Sequence, residues 1–413
     1  MKSRMISGKM KKLELYLHIP FCAKKCAYCD FLSAPAGRKT QEAYIEALKK
    51  EILAFPEKEK YRVSTVFFGG GTPSILEAGK ISEIMDLLHQ EFLFLPDAEV
   101  TIECNPGTAD FHKLAEYRKA GINRLSLGLQ SSKNKELTLL GRIHTWEDFF
   151  QTYEAACKAG FVNINVDLMS ALPGQSVQSW RETLEAVLAL RPQHISAYSL
   201  IIEEGTSFYE TYHEDDERRS RGEKPQYLPS EEEERKMYCM TEEMLAEAGM
   251  ERYEISNYAF PGFVCRHNIG YWNGTEYAGF GLGASSLLQL SKRHEKNGED
   301  SADAAVVKDA GWYRIKNPDC MEAYLKGDFS EREYERLTCK DRMEEFMFLG
   351  LRMIKGISEK EFEARFGKKI DAVYKNVLER QQALGLLERK EGRIRLTSRG
   401  LDVCNAVMAE FLL

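Results

Sequence analysis

The amino-acid sequence predicts an α/β protein, a partial (β/α)6 barrel of the TIM type followed by a smaller helical domain. Strand-like and helix-like segments alternate over the first half of the chain, and polar or glycine-rich motifs follow the predicted strands. Helices and one hairpin then close the chain. We assign the barrel to residues 1–310 and a helical, winged-helix-like domain to residues 311–413. A chain of 413 residues with 43% hydrophobic composition is long enough for both.

Six short strand-like segments are the predicted barrel strands. They are residues 13–18, 63–68, 100–103, 124–128, 163–168 and 194–200. Longer segments with helical apolar spacing separate them, at 44–55, 81–92, 111–120 and 146–159. This order implies parallel strands joined by crossover helices.

The helix predicted at 146–159 has recognisable ends. Thr145 is suited to cap its first turn together with Asp148, and Gly160 is suited to end it. A charged stretch rich in helix breakers, residues 203–236, predicts an exposed excursion from the barrel.

The C-terminal part predicts a compact helical unit. A polar stretch at 291–309 precedes helices at 339–354, 359–366 and 370–384, a hairpin in GLLERKEGRIRLTSRG, and a helix at 400–411. Helices with a small hairpin are typical of a winged-helix-like unit. The net charge of −7 favours a packing role over DNA binding and argues against a nucleic-acid partner.

The apolar runs, the N-terminus and the cysteine usage of the sequence together predict a cytoplasmic protein. No apolar run approaches the roughly 20 residues of a membrane helix. The N-terminus is basic, but the apolar segment behind it is short and carries Glu14, so no signal peptide is expected. Of ten cysteines, seven stand singly, which is typical of a reducing compartment.

Three cysteines form the most informative motif. Cys22, Cys26 and Cys29 stand as C-x3-C-x2-C in HIPFCAKKCAYCDF, directly after the first predicted strand. Three thiolates on one short loop can ligate three irons of a 4Fe–4S cube and leave the fourth iron open to a small molecule. A zinc site normally requires four ligands, and no second C-x2-C occurs; His18 keeps a zinc site of three cysteines and one histidine as an alternative.

Polar and glycine-rich residues follow the other predicted strands. The glycines of FFGGGTPS remove side chains from a turn, so that backbone groups can meet a ligand, although such a turn alone is weak evidence. Glu103, Gln130, Arg142 and Asp167 lie at or after strand ends. Singly, each is typical of a surface or salt-bridge residue. Together, at the edge where parallel strands end, they predict a polar ligand site.

The order of the motifs resembles the radical S-adenosylmethionine proteins, specifically their coproporphyrinogen oxidase-like branch. The resemblance covers nearly the whole chain and rests on LYLHIPFCAKKCAYCDF, FFGGGTPS, IECNP, RLSLGLQS, GRIH, VDLMSALPGQS, RYEISNYA, CRHNIGYW and GLGASS. It implies that the three cysteines ligate a 4Fe–4S cluster whose fourth iron binds S-adenosylmethionine. The positions it implies for that ligand are Tyr16, Gly70, Gly71, Thr72 and Glu103. The positions implied for a second such ligand, present in oxidase relatives, are Tyr28, Gln130, Arg142 and Asp167.

Two functions compete within this branch. One is oxygen-independent coproporphyrinogen III oxidase, a radical enzyme (a coproporphyrinogen dehydrogenase) that decarboxylates propionate side chains to give protoporphyrinogen IX. The other is a heme chaperone that uses the same scaffold to bind heme and pass it on. The oxidase pattern has a further cysteine where this chain has Phe31, and it has an N-terminal extension, whereas about fifteen residues precede Tyr16 here. We therefore favour the chaperone and leave open whether the chain is also an enzyme.

The segment HNIGYW supports the chaperone hypothesis. Chaperone relatives carry an H-N-x-x-Y-W motif linked to heme, which makes His267 the candidate axial ligand, with Tyr271 and Trp272 packing on the porphyrin. Cys265 is a weaker candidate, and a hydrogen-bonded histidine in a turn is the alternative. The resemblance implies as partners heme, heme-accepting proteins including respiratory proteins of the membrane, and an electron donor.

Overall fold

The computed structural model describes residues 10–291 and 310–413. Within these ranges, twelve strands form one mixed sheet whose order is β12-β11-β10-β9-β1-β2-β3-β4-β5-β6-β8-β7. Its central strands are β1 (Lys11–Ile19), β2 (Tyr61–Gly70), β3 (Leu93–Cys104), β4 (Arg124–Gln130), β5 (Ile164–Ser170) and β6 (His194–Ser199). Each of the six strands predicted from the sequence is confirmed.

The six central strands are parallel and neighbour one another in chain order, as in a (β/α) barrel. The ring does not close, because β6 pairs with β8 and β1 pairs with β9. The added strands are β7 (Glu251–Arg252), β8 (Asn257–Ala259), β9 (Tyr277–Phe280), β10 (Ser285–Leu290), β11 (Gly311–Lys316) and β12 (Glu333–Leu337). The α/β fold with a partial barrel is therefore confirmed.

Helices connect the barrel strands. They are α1 (Arg38–Ala54), α2 (Ala78–Glu91), α3 (Phe111–Lys119), α4 (Asn134–Leu139), α5 (Trp146–Lys158) and α6 (Val177–Leu188). The predicted ends of α5 are confirmed: Thr145 and Asp148 form a reciprocal cap, with N–H···O distances of 2.9 and 3.3 Å, and Gly160 follows with φ 87°. Within the described residues, every helix is too short or too polar to cross a membrane.

The prediction of an exposed excursion at 203–236 is wrong in part. This stretch contains α7 (Ser207–Ser220) and the start of α8 (Glu231–Glu247), which are followed along the chain by α9 (Arg266–Asn273) and α10 (Met321–Lys326). The few apolar residues of α7, Phe208 and Tyr212, are buried, while its many charged residues hide the helical pattern in the sequence. Of the polar stretch predicted at 291–309, only Ser291 lies in the described residues.

The C-terminal part has its own apolar core. It contains α11 (Cys339–Gly350), α12 (Glu359–Phe366), α13 (Asp371–Ala383) and an antiparallel sheet of β13 (Ile357–Ser358), β15 (Arg393–Leu396) and β14 (Leu387–Lys390). The single helix predicted at 400–411 is wrong: Val403, with φ −126°, separates α14 (Ser398–Asp402) from α15 (Cys404–Ala409). Strands β11 and β12 belong to the large sheet, so residues 311–337 pack with the barrel. The domain boundary at 310 and the winged-helix-like assignment stay predictions.

The two faces of the barrel strands differ in chemistry. Leu13, Leu15 and Leu17 of β1 pack into the apolar core that the helices cover. The alternating residues point to the other face. There, strand register places Glu14, Thr65 and Glu99 of β1, β2 and β3 in one layer. Two residues further along each strand, a second layer contains Tyr16, Phe67, Thr101 and, from β4, Arg124. The barrel interior is therefore lined by polar and aromatic layers.

A buried hydroxyl fixes the end of β1, and its removal gives the first prediction. The Tyr44 hydroxyl on α1 donates to the carbonyl of His18 at 2.7 Å and accepts from the amide of Leu282 at 2.9 Å. Replacing Tyr44 by Phe leaves both backbone groups unpaired, so we expect a loss of about 1–3 kcal/mol in the free energy of unfolding, measured with urea. Tyr117→Phe is the matched control, because the Tyr117 hydroxyl is buried in the same core and has no partner among the described residues. Equal losses in the two variants would contradict this account.

Candidate functional site

The three predicted cysteines lie on the loop between β1 and α1. Cys22 is buried, and Cys26 and Cys29 are partly exposed. The loop folds back on itself, because the amide of Cys22 donates to the carbonyl of Ala34 at 3.3 Å and the amide of Cys29 donates to the carbonyl of Cys26 at 3.2 Å. Burial raises the pKa of the Cys22 and Cys29 thiols.

Other barrel units hold this cysteine loop in place. The amide of Ala27 donates to the carbonyl of Leu140 at 3.0 Å, and the amide of Phe208 donates to the carbonyl of Ala27 at 2.9 Å. A Cβ on Gly141 would lie 3.4 Å from the nitrogen of Ala27. The loop is therefore clamped by the segments that follow α4 and β6.

Arg142 joins the cysteine loop to the neighbouring strands. Its guanidinium lies 3.6 Å from the Cys26 sulfur and donates to the Asn105 side chain at 2.7 Å and to the Gly128 carbonyl at 2.6 Å. Its Nε has no partner in residues 10–291 and 310–413. A partly buried cation whose Nε donor is buried and free, beside a sulfur, suits an anionic group at this position.

The donor set fits an iron–sulfur cube better than a single metal ion. In the described part of the chain, no three His, Cys, Asp or Glu side chains converge as ligands of one ion. A cube binds each thiolate through a different iron, so its ligands need not converge. The histidine that the zinc alternative requires is already engaged: His18 Nε2 donates to the carbonyl of Leu32 at 2.9 Å, and Nδ1 pairs with the Tyr16 hydroxyl at 3.0 Å.

The glycine turn after β2 packs directly against the cysteine loop. A Cβ on Gly71 would lie 2.5 Å from the carbonyl oxygen of Phe21, and one on Gly70 would lie 2.6 Å from the His18 ring. Gly70 also has φ 113°, which disfavours any side chain. The amide of Thr72 donates to the Phe21 carbonyl at 2.7 Å. The glycines are thus required by close backbone contact and not only by a tight turn.

Two partly buried carboxyl groups, Glu103 of β3 and Asp167 of β5, interact with each other near this turn. Glu103 accepts from the amide of Gly70 at 3.2 Å. Burial, with repulsion by Asp167, raises the pKa of Glu103 to about 8. Burial also raises the pKa of Asp167, although its carboxylate accepts from Asn165 at 2.7 Å and from Ser126 at 3.2 Å. A ligand with an ammonium or sulfonium group would stabilise their ionised forms.

The remaining predicted ligand positions lie beside these groups. Gln130 has φ 72°, an uncommon conformation for a residue with a side chain, and accepts from the Tyr198 hydroxyl at 3.0 Å. Tyr28 is partly buried, and this burial raises the pKa of its hydroxyl. Sequence reasoning missed Asn105, which bonds both Arg142 and Thr72, the latter at 2.8 Å. The motif IECNP contains it, but nothing in the spacing distinguishes it from its neighbours.

His267 lies apart from the cysteine loop, on α9 (Arg266–Asn273), within the barrel. Its ring is buried, with Nδ1 2.7 Å from the Thr65 hydroxyl and Nε2 3.0 Å from the Tyr271 hydroxyl. Burial and the charge of Arg124 lower the pKa of His267 to about 3, so the imidazole is neutral. The ring stacks on Phe67 at 5.1 Å between centroids, and Phe67 in turn stacks on Tyr16 at 6.3 Å.

A cavity of about 400 Å³ lies between α9 and the strand that leads into the cysteine loop. Its lining includes Tyr16, His18, Tyr271, Trp272 and Arg314. The size is that of a small-molecule site, and the lining combines aromatic rings with one cation. Residues of the HNIGYW segment and of β1 therefore line the same cavity.

This fold and this cysteine site define a radical S-adenosylmethionine protein. Residues 16–187 match the family described as the radical SAM superfamily, and residues 337–403 match the HemN C-terminal domain. The structure is similar to that of coproporphyrinogen III oxidase (HemN) from Escherichia coli, with a TM-score of 0.77 over 98% of this chain and 90% of that one. At 24% identity this likeness concerns the fold.

Full-length relatives define the family more closely. The chain is 32% identical to the heme chaperone HemW of Bacillus subtilis, over 96% of this chain and 98% of that protein. It is 36% identical to the heme chaperone HemW of Lactococcus lactis, over 96% and 97% of the two chains. The chain belongs to the HemW family, which confirms the resemblance seen in the sequence.

Proposed function

We propose that this protein is a heme chaperone that binds heme, carries a 4Fe–4S cluster with an exchangeable S-adenosylmethionine, and transfers the heme to acceptor proteins. The observation that carries the proposal is the aromatic cavity shared by Tyr271 and Trp272 of α9 and by Tyr16 and His18 of β1. The membership of the HemW family supports it independently. The proposed partners are heme, its acceptor proteins, including respiratory proteins of the membrane, and an electron donor, and the proposed compartment is the cytoplasm.

Cys22, Cys26 and Cys29 would hold the cluster, and the side chains around the glycine turn would hold S-adenosylmethionine. Such a cluster, when bound and reduced, supplies the electron for reductive cleavage of S-adenosylmethionine. The residues proposed for the first ligand are Tyr16, Gly70, Gly71, Thr72 and Glu103. Those proposed for a second ligand are Tyr28, Gln130, Arg142 and Asp167. The carboxylate of Glu103 suits the cationic groups of the first ligand. The carboxylate of Asp167 and the guanidinium of Arg142 suit the cationic groups and the carboxylate of the second.

The cavity offers heme two kinds of contact, and the buried His267, which does not line the cavity, offers a third. Tyr271, Trp272 and Leu287 supply apolar and aromatic surface for a porphyrin face. Arg314, which also pairs with Glu345, supplies a cation for a propionate. His267 would reach the iron through Nε2 only after the Tyr271 hydroxyl leaves that nitrogen. Loading of heme through His267 thus requires a local opening of α9.

The alternative function is that of coproporphyrinogen III oxidase, because the E. coli enzyme of that name has a similar fold. Phe31 favours the chaperone. It occupies the position of the additional oxidase cysteine, and its side chain is 62% exposed. The cysteine loop thus presents an apolar ring where an oxidase would present a thiol.

We expect anaerobic reconstitution to give about four iron and four sulfide atoms per chain, measured by chemical analysis. Cys26→Ser should lose most of this iron, because a cube held by two thiolates is weakly bound. Cys157→Ser is the control, since Cys157 is exposed and stands alone. A wild-type preparation that binds only zinc would refute the cluster.

Heme titration followed by absorption spectroscopy tests the axial ligand. We expect His267→Ala to weaken heme binding by about tenfold or more and to change the Soret band. Tyr271→Phe should not weaken the iron bond, because it frees Nε2 of His267. His89→Ala, which removes an exposed histidine on α2, controls for surface binding. Spectra of His267→Ala identical to those of the wild type would move the heme ligand elsewhere.

A parallel assay separates the two functions. The reconstituted protein is incubated with coproporphyrinogen III, S-adenosylmethionine and a reductant, with the E. coli oxidase as positive control. We expect heme binding without protoporphyrinogen IX. Turnover comparable to that of the oxidase would instead establish the enzyme.

A further inference from the structure

A second cavity lies on the opposite face of the added strands from the cavity beside α9. Its volume is about 420 Å³, and residues of α1, of β9, β10 and β11, and of α10 and the segment after it line it. Strand β10 separates the two cavities: Ser286 and Leu288 line this one, whereas Ser285 and Leu287 line the cavity beside α9. Successive residues of a strand point to opposite faces of its sheet, so the two cavities are distinct. We call the second one the outer cavity.

The outer cavity exists because α1 presents small side chains to these strands. Ala47 and Ala54 both line it. They are seven positions apart and so lie on one face of the helix. Protein interiors are close-packed, and larger side chains at these positions would fill the space. A cavity of this volume has the size of a small-molecule site.

The walls of the outer cavity are mostly apolar. They include the side chains of Phe280, Leu288, Leu290, Ile315, Leu325 and Phe329. The lining in the described part of the chain contains no histidine, cysteine or methionine, which are common ligands of heme iron. The outer cavity therefore suits an apolar molecule better than a metalloporphyrin.

One wall carries a buried charge that is already satisfied. The carboxylate of Glu51 accepts from the amide of Gly281 at 2.8 Å and from the side chain of Asn317 at 2.7 Å. It also accepts from the guanidinium of Arg332 at 3.1 Å, which balances its charge. This network therefore requires no cationic group from a ligand.

Lys50 gives the outer cavity an unpaired positive charge. It is exposed, lines the cavity, and forms no hydrogen bond or ion pair with any residue in the ranges 10–291 and 310–413. The other charged residues at this side are paired: Lys326 with Glu322 at 2.6 Å, and Glu57 with Lys60. A single free ammonium group beside an apolar space suits an anionic head group.

We propose that the outer cavity binds a molecule with an apolar chain and an anionic head group, namely a fatty acid or the acyl chain of an anionic lipid. The apolar walls take the chain, whose removal from water drives binding. The ammonium group of Lys50 takes the head group and selects anions over cations. This site goes beyond the proposed function and does not depend on it.

Titration calorimetry and thermal melting of the full-length protein with dodecanoate test the head group. Below its micellar concentration, dodecanoate should bind at about one molecule per chain and raise the melting temperature. Dodecanol, which has the same chain and a neutral head, should bind about threefold more weakly, and dodecyltrimethylammonium more weakly still. Lys50→Ala should lower the affinity for dodecanoate to that for dodecanol. Lys39→Ala, which removes an exposed lysine of α1 that does not line the cavity, should change neither.

A variant that fills the cavity tests the place of binding. Ala47→Leu should weaken dodecanoate binding by about tenfold or more and abolish the rise in melting temperature, because the added side chain occupies the space of the ligand. Ala43→Leu is the matched control, since Ala43 is exposed on α1 and does not line the cavity. If Ala47→Leu does not fold, Ala54→Leu takes its place. Unchanged binding in the filled variant, or tighter binding of dodecyltrimethylammonium than of dodecanoate, would overturn the proposal.

Co-sedimentation with vesicles distinguishes the two sources of the ligand. Binding to phosphatidylglycerol but not phosphatidylcholine vesicles, lost in Ala47→Leu, would identify a membrane lipid, whereas binding of dodecanoate alone would identify a free fatty acid. Binding of neither would overturn the proposal. So would heme binding that Ala47→Leu abolishes and His267→Ala leaves intact, because it would assign the outer cavity to heme. Failure of heme binding altogether would refute the proposed function and leave the dodecanoate experiments decisive for this site.

Discussion

The close backbone contact between the glycine turn after β2 and the start of the cysteine loop determines the geometry of the whole site. The carbonyl of Phe21 accepts from the amide of Thr72 at 2.7 Å, and any Cβ on Gly71 would lie 2.5 Å from that same oxygen. Since β1 and β2 pair in parallel up to Ile19 and Gly70, both segments leave the sheet at one level. The first cysteine is therefore fixed one residue beyond a rigid contact, and the loop that carries the other two starts from a defined position.

The polar interior of the barrel explains why α9 lies where it does. Glu14, Thr65 and Glu99 line the interior at neighbouring register positions, and polar groups of this kind cannot be buried without partners. Helix α9 meets part of this need: His267 bonds Thr65, and its amide donates to Glu99 at 3.2 Å. A Cβ on Gly270 would lie 1.9 Å from the Glu14 carboxylate, so this glycine is dictated by packing. The HNIGYW motif thus has a structural role in addition to any contact with heme.

Much of this arrangement could be predicted from the sequence. The alternation of elements gave the six barrel strands, and strand ends located Glu103, Gln130 and Asp167, because parallel strands bring their carboxyl ends to one edge. The partners of His267 could not be predicted, since Thr65 lies 202 positions away and only the register of β2 against β1 and β3 brings it inside. Helix α7 was missed because charged residues outnumber its few buried ones. The burial of Arg124 is likewise invisible in the sequence, where an arginine at a strand start is typical of a surface.

The two proposed sites share side chains, so neither can be understood alone. Tyr16 lines the cavity beside α9, and its ring would lie 3.1 Å from a Cβ on Gly69 in the glycine turn. Its hydroxyl pairs with His18, which in turn donates to the carbonyl of Leu32 at the end of the cysteine loop. On the other side, Tyr16 stacks on Phe67 and Phe67 on His267. A molecule in the cavity therefore contacts the same strand that positions the cysteines, which gives a physical reason why a protein that handles heme would keep the architecture of a radical enzyme.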